Sequence, residues 1–151
     1  MSGQPAQLPP PSNPALLPVF AAVTYLAALV AVWGSLSLAL DADVIGYADA
    51  GPLLGPAMAV VASIVTWAWV VRTSRVDWIV RGALIAGGVA YCAVVLTGAI
   101  GYGLARASIA WMPVAAGHFA LSPFVVVVAP LTALTVIVAS ALARGAAHHA
   151  E

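Results

Sequence analysis

The sequence predicts an all-α membrane protein, folded as an antiparallel bundle of four transmembrane helices. Three observations predict it. Of 151 residues, 64% are hydrophobic and only 7% are charged, whereas a soluble domain needs roughly a quarter of its residues charged to clothe its core. The apolar residues gather into four long runs, each near the ~20 residues a helix needs to cross a bilayer. Those runs are continuous, not alternating. That excludes the every-second-residue pattern of a membrane β-barrel and leaves helices, whose backbone hydrogen bonds are all internal.

The first element is a leader, residues 1–14, MSGQPAQLPPPSNP. It is proline-rich and uncharged, cannot bury a core, and is expected to be a disordered cytoplasmic segment. The transmembrane domain follows over 15–144, with spans at about 17–40, 53–71, 76–104 and 122–143, and then a short cytoplasmic tail, 145–151. Ser37-Leu38-Ala39 offers a small-x-small cleavage pattern. No positive residue precedes the first run, however, and the run exceeds the roughly 7–15 residues of a signal core, so it reads as a retained span. In the second span Trp67 and Trp69, with Arg72, form an interfacial belt. Ser74-Arg75-Val76-Asp77 fits a capping box for the start of the third span, with Trp78 as an anchor. Pro130, in FVVVVAPLTALTV, removes a helix hydrogen bond and predicts a kink within the fourth span.

Orientation follows from arginine. Arg72, Arg75 and Arg81 lie between spans two and three, Arg144 follows span four, and Arg106 alone falls on the other side. The positive-inside rule then predicts a multi-pass protein of the cell membrane with both termini cytoplasmic. The connection from Asp41 to Pro52, with three aspartates and no basic residue, faces outward.

Composition excludes several functions. Net charge is zero and there is no lysine, so no basic patch recommends nucleic acid as a partner. The single cysteine, Cys92, rules out an intramolecular disulfide and the paired thiols of a thiol oxidase. Proton-coupled carriers hold an Asp, Glu or His inside the membrane. Here the only charges in the spans are Asp77 and Arg81, near one end of the third. The first span offers only Thr24, Tyr25, Ser35 and Ser37, not the glutamate of small multidrug exporters, and the spans lack the histidines for a haem. No cofactor and no enzymatic activity are expected.

Three stretches carry candidate chemistry. TGAIGYG, residues 97–103, is similar to the Thr-Val-Gly-Tyr-Gly filter of potassium channels. Ala99 stands where the filter has its ion-ligating threonine, and the flanking spans would have to reverse the arginine rule. The glycines Gly87, Gly88, Gly98, Gly101 and Gly103 read instead as close-packing positions, with small-xxx-small spacing at Ala83/Gly87 and Ala99/Gly103. DADVIGYADAGP, from Asp41, matches an EF-hand loop at positions 1, 3, 6 and 9. It has Ile45 at position 5 and Pro52 where a bidentate glutamate is needed, so it reads as a solvated acidic turn. Asp41, Asp43, Asp49 and His118 are the candidate metal ligands on that side. His118 sits in an apolar connection, ARASIAWMPVAAGHFALS, where Trp111, Met112 and Phe119 predict a stretch lying on the membrane surface.

The layout, with its outer stretch DADVIGYADAGPLLGP from Asp41 to Pro56, resembles an uncharacterised family of small four-span actinobacterial membrane proteins. The resemblance implies no activity and assigns no functional residue. Function is therefore read from the residues. The first expectation is a small accessory or scaffolding subunit that contacts itself or another membrane protein through its helices in the lipid bilayer. The alternatives are a homo-oligomeric channel or carrier for a small solute, and a membrane protein with a metal or enzymatic site at the outer face.

Overall fold

A computed structural model describes residues 16–45, 51–73 and 79–148. Among these residues the chain is helical, with no strand: α1 (Leu16–Leu40), α2 (Leu54–Thr73), α3 (Ile79–Ala105), α4 (Trp111–Leu121), α5 (Pro123–Val126) and α6 (Val128–His148). Four stretches are long and apolar enough to cross a membrane: α1, α2, α3 and Pro123–Gly145, which joins α5 to most of α6. This fits a multi-pass membrane protein. The expected leader, the capping box at Ser74–Asp77, Arg75, Trp78 and Asp49 lie outside the described residues. The last helix continues to His148, past the expected start of the tail at residue 145.

Packing centres on α3, which touches α2, α4, α5 and α6, while α1 lies against α2 and α6. The sequence of α3 explains its place. Ala83, Ala86, Gly87, Ala90 and Val94 are all buried and follow helical spacing, so one side of α3 is thin enough for neighbouring backbones to come close. A larger cluster joins Leu29 of α1, Met58 and Ala62 of α2, and Val94 of α3 to Phe124, Val125 and Val128. A smaller one joins Val70, Ala83, Ala86, Val136 and Ala139. α1 is the least enclosed helix. It buries 17% of its most apolar stretch, against 39% for α2 and α3, and its buried residues Tyr25, Leu29 and Trp33 form a single stripe every fourth residue.

Two helices end in left-handed turns without glycine. Asp41 closes α1 at φ 47°, where the Ala42 amide reaches the Ser37 carbonyl at 3.2 Å and the Ser37 hydroxyl donates to the Ala42 carbonyl at 2.7 Å. Ala107 closes α3 at φ 49°. There the Ala107 amide donates to Leu104 at 3.0 Å and the Ser108 amide to Gly103 at 3.1 Å. This is the hydrogen-bond pair of a Schellman cap, which uses up the orphan carbonyls of the helix end.

Candidate functional site

The filter-like segment is helix. Residues 97–103 lie within α3, so their carbonyls serve the helix ladder and line no pore. Its glycines meet other helices instead. A Cβ on Gly98 would stand 2.8 Å from the Phe119 ring, one on Gly103 2.6 Å from Met112 Cγ, and one on Gly101 would collide with Leu54 Cδ1. Deeper in α3, a Cβ on Gly87 would stand 2.6 Å from the Ala129 carbonyl oxygen. Gly88 differs from the other four. It is exposed and nothing lies within 4 Å of its Cβ position, so it packs against nothing in its own chain.

The surface stretch expected around Trp111–Phe119 is a folded helix, α4, laid along α3. Trp111 is exposed, but Phe119 is 1% exposed and Met112 covers Gly103. The apolar side chains of this connection therefore cover the glycine-lined end of α3.

The chain breaks once at the entry to the last span and once within it. Ser122 is extended (φ −68°, ψ 129°) and Pro123 opens α5, as expected of a residue held before proline and of proline in a first helical turn. The helix is interrupted again at Val127, between α5 and α6. Pro130 lies in the first turn of α6, inside the Pro123–Gly145 stretch. The interruption falls one turn before it, beside the Val126 carbonyl that has lost its i+4 donor. Aromatic donors from other helices serve the carbonyls near these breaks. The Tyr91 hydroxyl donates to the Ala120 carbonyl at 2.7 Å, and the Trp33 indole N–H donates to the Phe124 carbonyl at 2.7 Å.

Deeper still, three helices share a polar contact. The Thr132 hydroxyl donates to the Tyr25 oxygen at 3.1 Å. Thr66 and Thr132 lie 3.4 Å apart, and Thr66 donates to the Ala62 carbonyl at 2.8 Å. All three side chains are buried, so each hydroxyl is satisfied within the protein, as an apolar interior requires.

The candidate metal ligands that are described, Asp41, Asp43 and His118, form no cluster. Among the described residues no three of His, Cys, Asp and Glu come together. Asp41 occupies the left-handed turn after α1, Asp43 lies exposed beyond it, and Asp49 is outside the described residues. His118 is on α4, with its ring edge-on to Phe119 at 5.9 Å. Of the arginines read for orientation, Arg72 stacks over Trp69 at 5.8 Å, and Arg81 and Arg144 are exposed. Arg106 lies over Tyr102 at 5.5 Å and Trp111 at 5.2 Å.

The family model that matches spans residues 13–150, nearly the whole of this fold, and its description is a family of unknown function (DUF6121). The chain belongs to that family. The match takes in all four apolar stretches and the Asp41–Pro56 stretch on which the resemblance rested, and the family is uncharacterised, as the resemblance implied. No curated protein and no solved structure matches the chain.

Two features escaped the sequence reading. The Tyr25–Thr66–Thr132 contact joins residues up to 107 positions apart. The only signal was the hydroxyls scattered through three apolar runs, and nothing set Tyr25, Thr66 and Thr132 apart from neighbours such as Thr24, Ser63 and Thr135. The outward face of Gly88 had no signal, because the residues around it are apolar on every side.

Proposed function

We propose that this is a multi-pass protein of the cell membrane, an antiparallel bundle of four transmembrane helices with both termini in the cytoplasm. We further propose that it serves as a small accessory or scaffolding subunit, docking through its helices on a second copy or a larger membrane complex. Contact order supports the bundle. Trp33 meets Phe124 and Tyr25 meets Thr132, so α1 and the last span run in opposite senses. Val94 clusters with Phe124 and Val125, and Ala83 with Val136 and Ala139, which supports the same opposition between α3 and the last span. The arginine asymmetry supports the orientation. The lysine-free, alanine-rich composition supports an actinobacterial source.

One observation carries the docking role. Of the glycines in α1, α2 and α3, Gly34 and Gly88 alone have nothing within 4 Å of a Cβ position, an openness they share with Gly117 of α4 and Gly145 in the last turn of α6. A glycine inside a helix costs roughly 1 kcal/mol relative to alanine. At Gly87, Gly98, Gly101 and Gly103 that cost is offset by close contact within the chain. At Gly34 and Gly88 no such contact exists, and a partner helix approaching the bare backbone supplies the missing one. The two lie on α1 and α3, which flank the α2–α6 pair from different sides, so the chain can bridge two neighbours.

The test is Gly88→Leu and Gly34→Leu in the native host, with intact assemblies weighed by native mass spectrometry. Loss of a partner or of a second copy, at unchanged thermal stability of the single chain, is the expected result. Unaltered assemblies in both variants would remove the proposal. Gly87→Leu is no test of docking, because it breaks the contact with Ala129 inside the chain. Side chains fill the interior of one chain, so the channel alternative places its pore between copies. Solute flux from liposomes holding the pure protein would favour it.

A further inference from the structure

A cavity of about 890 Å³ lies between α1 and α2. Its walls are apolar, with Val30 and Trp33 from α1 and Ala59 from α2 among them. A second hollow of about 260 Å³ shares Leu26 and Val60 with the first and carries the seam on to Ile64 and Trp67. The seam faces outward along its length, since Val30, Val60, Ile64 and Trp67 are each at least 45% exposed. From Ser37 to Ala22 along α1 it runs about 22 Å at 1.5 Å per residue. That exceeds the ~15 Å of one hydrocarbon leaflet. The larger hollow falls in the range of pockets that enclose small ligands.

Among the described residues that line the seam, Asp43 alone is charged. It lies in a connection with no basic residue from Asp41 to Leu53. Asp43 makes no ion pair among the described residues. The hydroxyls along the seam are already used: Ser37 donates to the Ala42 carbonyl and Ser63 to the Ala59 carbonyl. The polar recognition left over is a carboxylate, which when ionised only accepts hydrogen bonds and attracts positive charge.

We propose that the α1–α2 seam binds a membrane lipid whose headgroup carries an ammonium group. An acyl chain lies along Val30, Leu26, Val60 and Ile64, and the ammonium sits at Asp43. An apolar slot with the Asp43 carboxylate at its mouth is complementary to that molecule at both ends. A lipid whose headgroup is anionic, with no ammonium, meets Asp43 with like charge. The proposal rests on the membrane reading above and is independent of docking at Gly34 and Gly88.

The test uses the full chain in mild detergent, offered phosphatidylethanolamine or phosphatidylglycerol with identical acyl chains, and counts bound lipid by native mass spectrometry. The expected result is retention of phosphatidylethanolamine over phosphatidylglycerol by about fivefold, the effect of one charge near a membrane surface. Asp43→Asn brings the ratio close to one. Asp41→Asn, two residues away and not on the cavity wall, leaves the ratio unchanged. Val60→Trp fills the seam from an exposed position and removes both lipids, while a thermal melt shows that the fold persists. Equal retention of the two lipids by the unaltered protein overturns the proposal, as does full retention in Val60→Trp. A lipid-free dimer that Val60→Trp dissolves also overturns it, because a second copy then fills the seam. Failure of the membrane reading gives a different result: protein that stays in aqueous solution without detergent.

Discussion

Gly87 and Gly88 are adjacent, chemically identical and both inside α3, yet alanine should affect them in opposite directions. In each case replacing glycine removes backbone freedom from the unfolded chain and gains up to about 1 kcal/mol of helix propensity. At Gly88 nothing lies within 4 Å of the new methyl group, so that gain stands alone. At Gly87 the methyl would stand 2.6 Å from the Ala129 carbonyl oxygen and 3.3 Å from its carbonyl carbon, against 3.4–4 Å for ordinary contact. Both of these are backbone atoms and cannot rotate aside, so α3 and α6 must move apart. Overpacking of this kind costs about 1–3 kcal/mol. The propensity gain is common to both variants, so the difference between them isolates the clash: Gly87→Ala should be less stable than Gly88→Ala by about 1–3 kcal/mol. The assay is reversible unfolding in mixed micelles by added dodecyl sulfate, followed by the fluorescence of the five tryptophans. Equal stability of the two variants, or a more stable Gly87→Ala, would refute the close approach of α3 to the last span.

Three further outcomes follow from the same geometry. Trp33→Phe removes the indole donor to the Phe124 carbonyl and should cost about 1 kcal/mol in the same titration; an unchanged midpoint would mean that this bond contributes nothing. Tyr25→Phe and Thr132→Val, made singly and together, should be non-additive by about 0.6 kcal/mol, the usual size of a hydrogen bond between membrane helices. Strict additivity would deny the contact. Ala107→Gly relieves a left-handed alanine at the end of α3 and should raise stability by roughly 0.5–1 kcal/mol, and a lower midpoint would count against the Schellman turn there.

The spans were legible because lipid demands long apolar runs, and the described bounds of α1 and α2 and the end of α3 lie within two residues of the expected limits. The connection from Arg106 to Ser122 was harder. Its 11-residue helix is too short to register as a span, and Pro113, Gly117 and Pro123 punctuate it like a loop. What holds it in place is complementary shape, with Phe119 over Gly98 and Met112 over Gly103. Shape of that kind is written in two distant segments and in neither alone. The facing of each helix was hidden for a related reason. In water a polar stripe marks the outside of a helix, but a lipid-facing side and a core-facing side are equally apolar, so Gly87 and Gly88 look alike in the sequence. All that united the candidate ligands in the sequence was a shared side of the membrane. Asp41 serves a helix cap, Asp43 borders the α1–α2 seam, and His118 rides on α4.

The hydrogen bonds that Trp33 and Tyr25 make with the last span set an order of events for biogenesis. Both side chains enter the membrane with the first segment synthesised, but their partners lie 91 and 107 residues later. At translation rates of about 5–20 residues per second, α1 waits several seconds with an indole donor and a phenol that find no permanent partner. During that interval α2 and α3 can pair, since each follows the other closely in the chain. The first helix made can lie against α2 early but gains its hydrogen bonds to the last span only at the end, and a nascent chain stalled before residue 124 would leave Trp33 and Tyr25 without them.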